Sequence, residues 1–132
     1  MTNLRIGLLT RSKDSWPSTQ IVRALVEHEV EPVCFTFSDI TVNIGGDCEV
    51  VIHGNIDAIK DLDALIVRPI GRGSLDEIIF RLNVLHRLDS GGLFIVNPPS
   101  SIEKAVDKYY ALSLLSQSGI RVPKTIVTEN PD

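Results

Sequence analysis

The chain has 132 residues, of which 43% are hydrophobic and only 5% aromatic, and its formal net charge is −4. That length suits one domain with an aliphatic core, burying roughly two thirds of the surface of the unfolded chain. The acidic balance argues against nucleic acid as the main partner, and no apolar run approaches the ~20 residues of a membrane span. Residues 1–5 pass straight into an apolar run with no secretory pattern, and the two cysteines, Cys34 and Cys48, suit a reduced cytoplasmic protein without a disulfide framework.

Residues 4–10 are too continuously apolar to alternate, as in a strand buried on both faces of a parallel sheet. After a polar loop over 11–17, Ser18 is suited to cap a helix that ends near Glu29, with Ile21, Val22, Leu25 and Val26 on one face. A second strand is predicted over 31–37, which completes a βαβ unit with a right-handed crossover. Residues 40–44 and 48–53 flank Gly45-Gly46-Asp47 and predict a β-hairpin, at the sheet edge or folded over it.

Residues 62–67 read as another buried strand, ending at Arg68-Pro69. Ser74 and Glu77 make a capping box for a helix striped by Leu75, Ile78, Ile79, Leu82, Leu85 and Leu88 as far as Gly91. The apolar run 93–96 must stop at Asn97-Pro98-Pro99, because proline removes ladder donors. Ser100 with Glu103 predicts a further capping box, and Asp107 is placed to cap a second short helix or a kinked continuation. Leu112, Leu114 and Leu115 give that helix its apolar side, Gly119 terminates it, and a new strand is predicted over 120–127. The expected fold is three-layer α/β: a mainly parallel, Rossmann-like sheet over 1–122 with an added hairpin, then 123–132 as the first strand of a second domain.

Charge is unevenly spread. Residues 27–63 hold nine acids against one base, Lys60, whereas residues 64–128 hold eight bases against five acids. Arg68-Pro69-Ile70-Gly71-Arg72-Gly73 falls at the carboxyl end of a predicted parallel strand and feeds a helix N-terminus, an edge where open α/β sheets bind ligands. Glycines there let backbone approach a ligand closely, and arginines can fork onto carboxylates. The plainer reading is a flexible turn with surface arginines, and the run fails as a dinucleotide fingerprint because Asp76 stands where a third glycine is needed. The first βα loop, with Arg11, Ser12 and Trp16, belongs to the same edge. His28, His53 and His86 are scattered, so no structural metal is expected.

Val67-Arg68, residues 73–81, Asn97, Asp107-Lys108, Leu114-Leu115, Gly119-Ile120 and Pro123-Lys124-Thr125 follow an order that resembles the start of the ATP-grasp ligases, RimK-type α-L-glutamate ligases in particular. The block at 73–81 is most similar to the archaeal branch that adds glutamate to a pterin coenzyme. The resemblance implies a pre-ATP-grasp domain over 1–122, and an ATP-grasp domain of which only the beginning, 123–132, is present. It implies an ATP-dependent carboxylate–amine ligase in which ATP phosphorylates a carboxylate and the amine of glutamate attacks the acyl phosphate. Lys108, on residues alone a solvated point charge, then becomes a phosphate contact. Arg68, Gly71, Arg72, Gly73, Arg11 and Ser12 become candidates for binding an acidic small-molecule or peptide carboxylate. The second ATP lysine, the adenine hinge and the magnesium-binding acids would lie beyond Asp132. ATP and Mg would then be bound mainly outside this chain, which would be inactive alone. Leucines left uncovered on the helix at 108–118 would favour a homodimer or higher oligomer. The alternative is a freestanding α/β binding, regulatory or oligomerisation module; a phosphoacceptor receiver would need carboxylates at the strand ends, where Thr10-Arg11 and Arg68-Pro69 stand.

Overall fold

The computed structural model describes residues 4–45, 49–53, 59–130 and 132. In chain order the elements are β1 (Arg5–Leu9), α1 (Trp16–Glu27), β2 (Glu31–Phe35), a 3-10 turn (Phe37–Asp39), β3 (Ile40–Asn43), β4 (Glu49–Ile52), β5 (Ala64–Val67), α2 (Leu75–Ser90), β6 (Phe94–Val96), α3 (Pro99–Val106) and α4 (Lys108–Gln117). By contacts the chain divides into two compact units, Met1–Pro99 and Ser100–Asp132.

The first unit carries the sheet. Its strands run in the order β2-β1-β5-β6, all parallel, with Leu8 facing Cys34 on one side and Ile66 on the other. The chain leaves β1 towards β2 in one direction, and leaves β5 towards β6 in the other. Crossovers of the usual right hand therefore put α1 and α2 on opposite faces, the expected three layers. Leu8, Leu9, Phe35, Leu65 and Leu85 have essentially no exposed surface and form the aliphatic centre. Gly7 is required there: a Cβ would come within 2.8 Å of the Leu62 and Leu65 side chains. At the amino edge Arg5 ties three segments, its Nε to Glu31 at 3.1 Å, its Nη1 to Asp61 at 3.2 Å and its backbone N–H to Asp63 at 2.7 Å.

The hairpin forms its own two-stranded sheet, β3 antiparallel to β4 with Ile40 opposite Ile52, and buries Ile40, Val50 and Ile52. Part of its turn, residues 46–48, lies outside the described residues.

Several local expectations are corrected. Ser15, not Ser18, caps α1, which starts at Trp16 and accommodates Pro17 in its first turn where no N–H is needed. Ser18 is fully buried instead, bonded to Thr10. The second strand ends at Phe35 rather than at 37, because Thr36 and Asp39 close a capping box on the 3-10 turn. Along α2 the capping box of Ser74 and Glu77 forms as expected, but the buried side chains are Val84, Leu85 and Leu88, while Leu75 and Ile79 are exposed.

The helix α3 begins at Pro99, the last residue of the first unit and one residue before the serine expected to cap it. Asp107 does cap α4, accepting from the Tyr110 N–H at 2.9 Å, and Gly119 leaves the helix at φ 77°. The strand expected over 120–127 is not formed. A strand exists through its ladder, and no described strand pairs with this segment.

Leu65 sits between β1 and β6 with no exposed surface. Leu65→Ala is expected to lower unfolding free energy by about 2–5 kcal/mol through lost burial plus a cavity. Urea denaturation checks this, and a loss under about 1 kcal/mol, the usual cost of a random substitution, would show that the centre lies elsewhere.

Candidate functional site

Because β1, β2 and β5 are parallel, the loops that follow them emerge at one edge of the sheet. They enclose a pocket of about 160 Å³. Thr10 and Arg11 come from the loop after β1, Thr36, Phe37 and Ser38 from the turn after β2, and Ile70, Gly71 and Arg72 from the loop after β5. Arg81 reaches the same pocket from the second turn of α2. The location is the topological switch point of the sheet, between β1 and β5, where the chain's two winding directions part.

Electrostatics follow from the lining. Three arginines are among the lining residues and no acidic residue is. Asp39, on the neighbouring turn, has its charge already committed: Lys13 Nζ stands 3.1 Å from Oδ2. The same oxygen accepts from the Thr36 N–H at 2.8 Å and the Thr36 hydroxyl at 3.0 Å. The Thr36 N–H above all, with Lys13 and the hydroxyl, holds the Asp39 carboxyl below its ordinary value against an opposing push from burial. Cys34, on β2, is pushed the other way, its thiol raised by desolvation.

The hydroxyls deeper in the loop are internally paired. Ser15 Oγ donates to Ser18 Oγ at 2.8 Å, Ser18 and Thr10 share a 2.7 Å bond, and Thr10 Oγ1 donates to the Ser12 carbonyl at 3.3 Å. No described buried side-chain polar atom lacks a partner. The arginines are different. Among the described residues neither Arg11 nor Arg72 makes an ion pair, and the Arg11 side chain lies along Gly71, where a Cβ would meet it at 3.1 Å. Gly71 itself has φ 85°, a conformation that strains any other residue.

Of the residues singled out in the sequence, Arg11, Gly71 and Arg72 are thus brought together. Arg68, half-buried, Ser12 and Gly73 do not line the pocket. Lys108 opens α4 in the second unit, exposed, with its ammonium in no ion pair among the described residues. Trp16 is 74% exposed at the start of α1. Thr36, Phe37, Ser38 and Arg81 were not anticipated as site residues. A signal existed for each group: Thr36-x-x-Asp39 is itself a capping-box spacing, and Arg81 interrupts the apolar series Ile78, Leu85, Leu88 with a charge. Among the described residues no cluster of three or more His, Cys, Asp or Glu is placed to hold a metal ion, and no helix is long and apolar enough to cross a membrane.

In the second unit, α4 and residues 122–127 form an apolar groove that includes Tyr109, Leu112, Val122 and Ile126. Leu112 and Leu114 are partly covered, whereas Leu115 is 42% and Ile126 91% exposed.

Comparison with known proteins places these features. The family model described as the RimK PreATP-grasp domain matches residues 4–102. The tetrahydromethanopterin:alpha-L-glutamate ligase of Methanosarcina acetivorans is 29% identical over 129 residues, 96% of this chain and 40% of that protein. The enzyme of the same name from Methanococcus maripaludis is 31% identical over 127 residues, 96% of this chain and 41% of that protein. A probable alpha-L-glutamate ligase of Pseudoalteromonas translucida is 29% identical over 135 residues, covering 98% and 41%. The chain therefore spans about two fifths of the length of the curated relatives it matches. In three dimensions it is similar to the ATP-grasp ligase PsnB, solved with a phosphomimetic variant of its minimal precursor, Mg and ADP. The TM-score is 0.68 at 20% identity, covering 98% of this chain and 49% of that one. At that identity the likeness is one of fold.

The depressed Asp39 carboxyl makes a testable statement about pH. A group whose folded pKa lies below its unfolded value of 3.8 contributes stability that is present above that value and lost as pH falls through the folded one. Asp39→Asn should therefore be less stable than wild type near neutrality, with the gap closing as pH drops from about 5 to below 4. Urea midpoints of both proteins across that range test it. A gap that stays constant with pH would mean that the Thr36 and Lys13 contacts do not favour the ionised form.

Proposed function

The chain belongs to the RimK pre-ATP-grasp family, and on that footing we propose that it forms the amino-terminal domain of an ATP-dependent ligase that joins glutamate to a carboxylate substrate. The observation that carries the substrate half of this reading is the pocket at the switch point, which gathers Arg11, Arg72 and Arg81 with no acidic side chain in its lining. Arginine presents a planar fork that matches a carboxylate in two parallel hydrogen bonds. A volume of about 160 Å³ is well below the roughly 300–1,000 Å³ that envelop a whole drug-sized ligand. The pocket thus suits the carboxylate-bearing end of a substrate, with the rest left outside.

The clamp we assign is Arg11 with Arg72, the two arginines among the six candidates named in the sequence that line the pocket. Their guanidinium groups have no carboxylate partner among the described residues, which leaves their donors for a ligand. Lys108 we assign to a phosphate of ATP. Support comes from its place after the Asp107 cap and from its ammonium, which makes no ion pair among the described residues. In the reaction, a substrate carboxylate would take the terminal phosphoryl group of ATP, and the amine of glutamate would then displace phosphate from the acyl phosphate. This chain's share of the work would be to orient the acidic substrate and to contact the nucleotide. The archaeal relatives are named for tetrahydromethanopterin, and a pterin of that kind is one candidate acceptor. Association through the exposed apolar groove of the second unit into a homodimer belongs to the same proposal.

The reading is tested in the whole ligase by incubating it with ATP, magnesium, glutamate and acidic acceptors. ADP should be released only when glutamate and an acceptor are both present, with a glutamyl mass added to the acceptor. ADP release that ignores glutamate would refute a glutamate ligase. Arg72→Ala should raise KM for the acceptor and spare that for ATP. Lys108→Ala should weaken nucleotide use by about 1.5–3 kcal/mol, the range of a hydrogen bond to a charged group, and Lys108→Arg should recover only part of it. Wild-type dependence on ATP in Lys108→Ala would remove that assignment.

A further inference from the structure

Arg81 is only 16% exposed, and its guanidinium reaches the loop after β5. Nη1 donates to the Ile70 carbonyl and to the Arg72 carbonyl, each at 2.9 Å. Those two carbonyls flank Gly71, the residue held at φ 85°. Nη2 lies 3.7 Å from Glu77, whose carboxylate is already tied to the Ser74 N–H at 2.7 Å, and a Cβ on Gly73 would stand 3.2 Å from Nη2. On its other side the guanidinium carbon stands 5.7 Å from the centre of the Phe37 ring, on the turn after β2. One side chain thus holds two of the three loops that make the pocket.

We infer that Arg81 is a positioning residue for substrate binding: it fixes the Ile70–Gly71–Arg72 backbone and so sets where the Arg72 guanidinium stands. The inference rests on the reading of the pocket as a carboxylate clamp. Two physical effects follow from the geometry. The carbonyls beside Gly71 would repel an incoming carboxylate, and binding both to one cation offsets their partial negative charge. The loop is also ordered before the ligand arrives, which removes a cost that binding would otherwise bear. Arg81 does not itself need to touch the ligand, because its Nη1 is shared between two carbonyls. Lysine cannot replace it: a single ammonium on a flexible stem does not span both carbonyls while stacking on Phe37.

Titration of the chain with glutarate, a dicarboxylate probe, followed by calorimetry alongside thermal unfolding, tests this. Arg81→Ala should bind glutarate about tenfold more weakly, the scale of one hydrogen bond to a charged group. Low-millimolar methylguanidinium should restore most of the affinity by occupying the vacated place. A role confined to fold stability would show as a lower melting temperature with no such rescue, and that result would overturn the inference. Where Arg81→Ala does not fold, Arg81→Lys keeps charge and stem and should still bind weakly; wild-type affinity in it would equally overturn the inference. Arg72→Ala separates the two levels. Should glutarate bind neither variant nor wild type, or bind Arg72→Ala as tightly as wild type, the clamp itself fails. Should Arg72→Ala weaken binding while Arg81→Ala does not, only the positioning role falls.

Discussion

β1 takes parallel hydrogen bonds from β2 on one side and from β5 on the other, and the site depends on that double pairing. Parallel neighbours send their carboxyl ends to the same edge, so loops distant in sequence must meet there. The pairing is possible because β1 is apolar along both faces and carries Gly7, where the side chains of Leu65, on the neighbouring β5, and of Leu62, just before it, close in. Backbone bonds extend it past the strand ends. Thr10 N donates to Phe35 O at 3.0 Å and Arg68 N to Leu9 O at 2.8 Å, which fixes the starting point of each loop at the pocket.

Above that platform the loops are held by charge. Lys13 with Asp39 ties the first loop to the turn after β2, and Arg81 ties that turn to the loop after β5. Exposed ion pairs contribute little one at a time. A mostly covered guanidinium is another matter, since removing its acceptors would leave a charge with neither water nor partner. Among the described residues of these loops that leaves Arg11, Arg68 and Arg72 without an ion pair, and of these Arg11 and Arg72 line the pocket. The amino edge, by contrast, is closed by Arg5 among Asp61, Asp63 and Glu31 and has no such surplus. The charge asymmetry of the sequence becomes a polarity of the sheet.

Much of this was legible in the chain itself. Continuous apolar runs gave the parallel strands, Ser74-x-x-Glu77 and Asp107 gave two helix starts, and Gly119 gave an end, because each rests on local backbone chemistry. Ser18 was misread because a serine that caps and a serine buried against Thr10 look alike until the partner strand is in place. The segment after Gly119 has the β-branched composition of a strand but no described ladder partner, and composition cannot supply one. At the pocket, Arg11, Gly71 and Arg72 could be nominated from their strand ends. Phe37 and Arg81 carried only the indirect signals of a capping-box spacing and of a charge within an apolar series, since their shared role arises only when α2 brings position 81 against a turn 44 positions earlier in the chain.

The central claim is that Arg11 and Arg72 together receive a carboxylate. The most direct measurement is the spectrum of arginine Nε–Hε groups in the chain, recorded as glutarate is added. Signals of Arg11 and Arg72 should move together with a single apparent affinity, while those of Arg23 and Arg87, exposed on the helices, stay in place. Equal movement of all four, or movement of Arg23 and Arg87 with Arg11 and Arg72 unmoved, would contradict it.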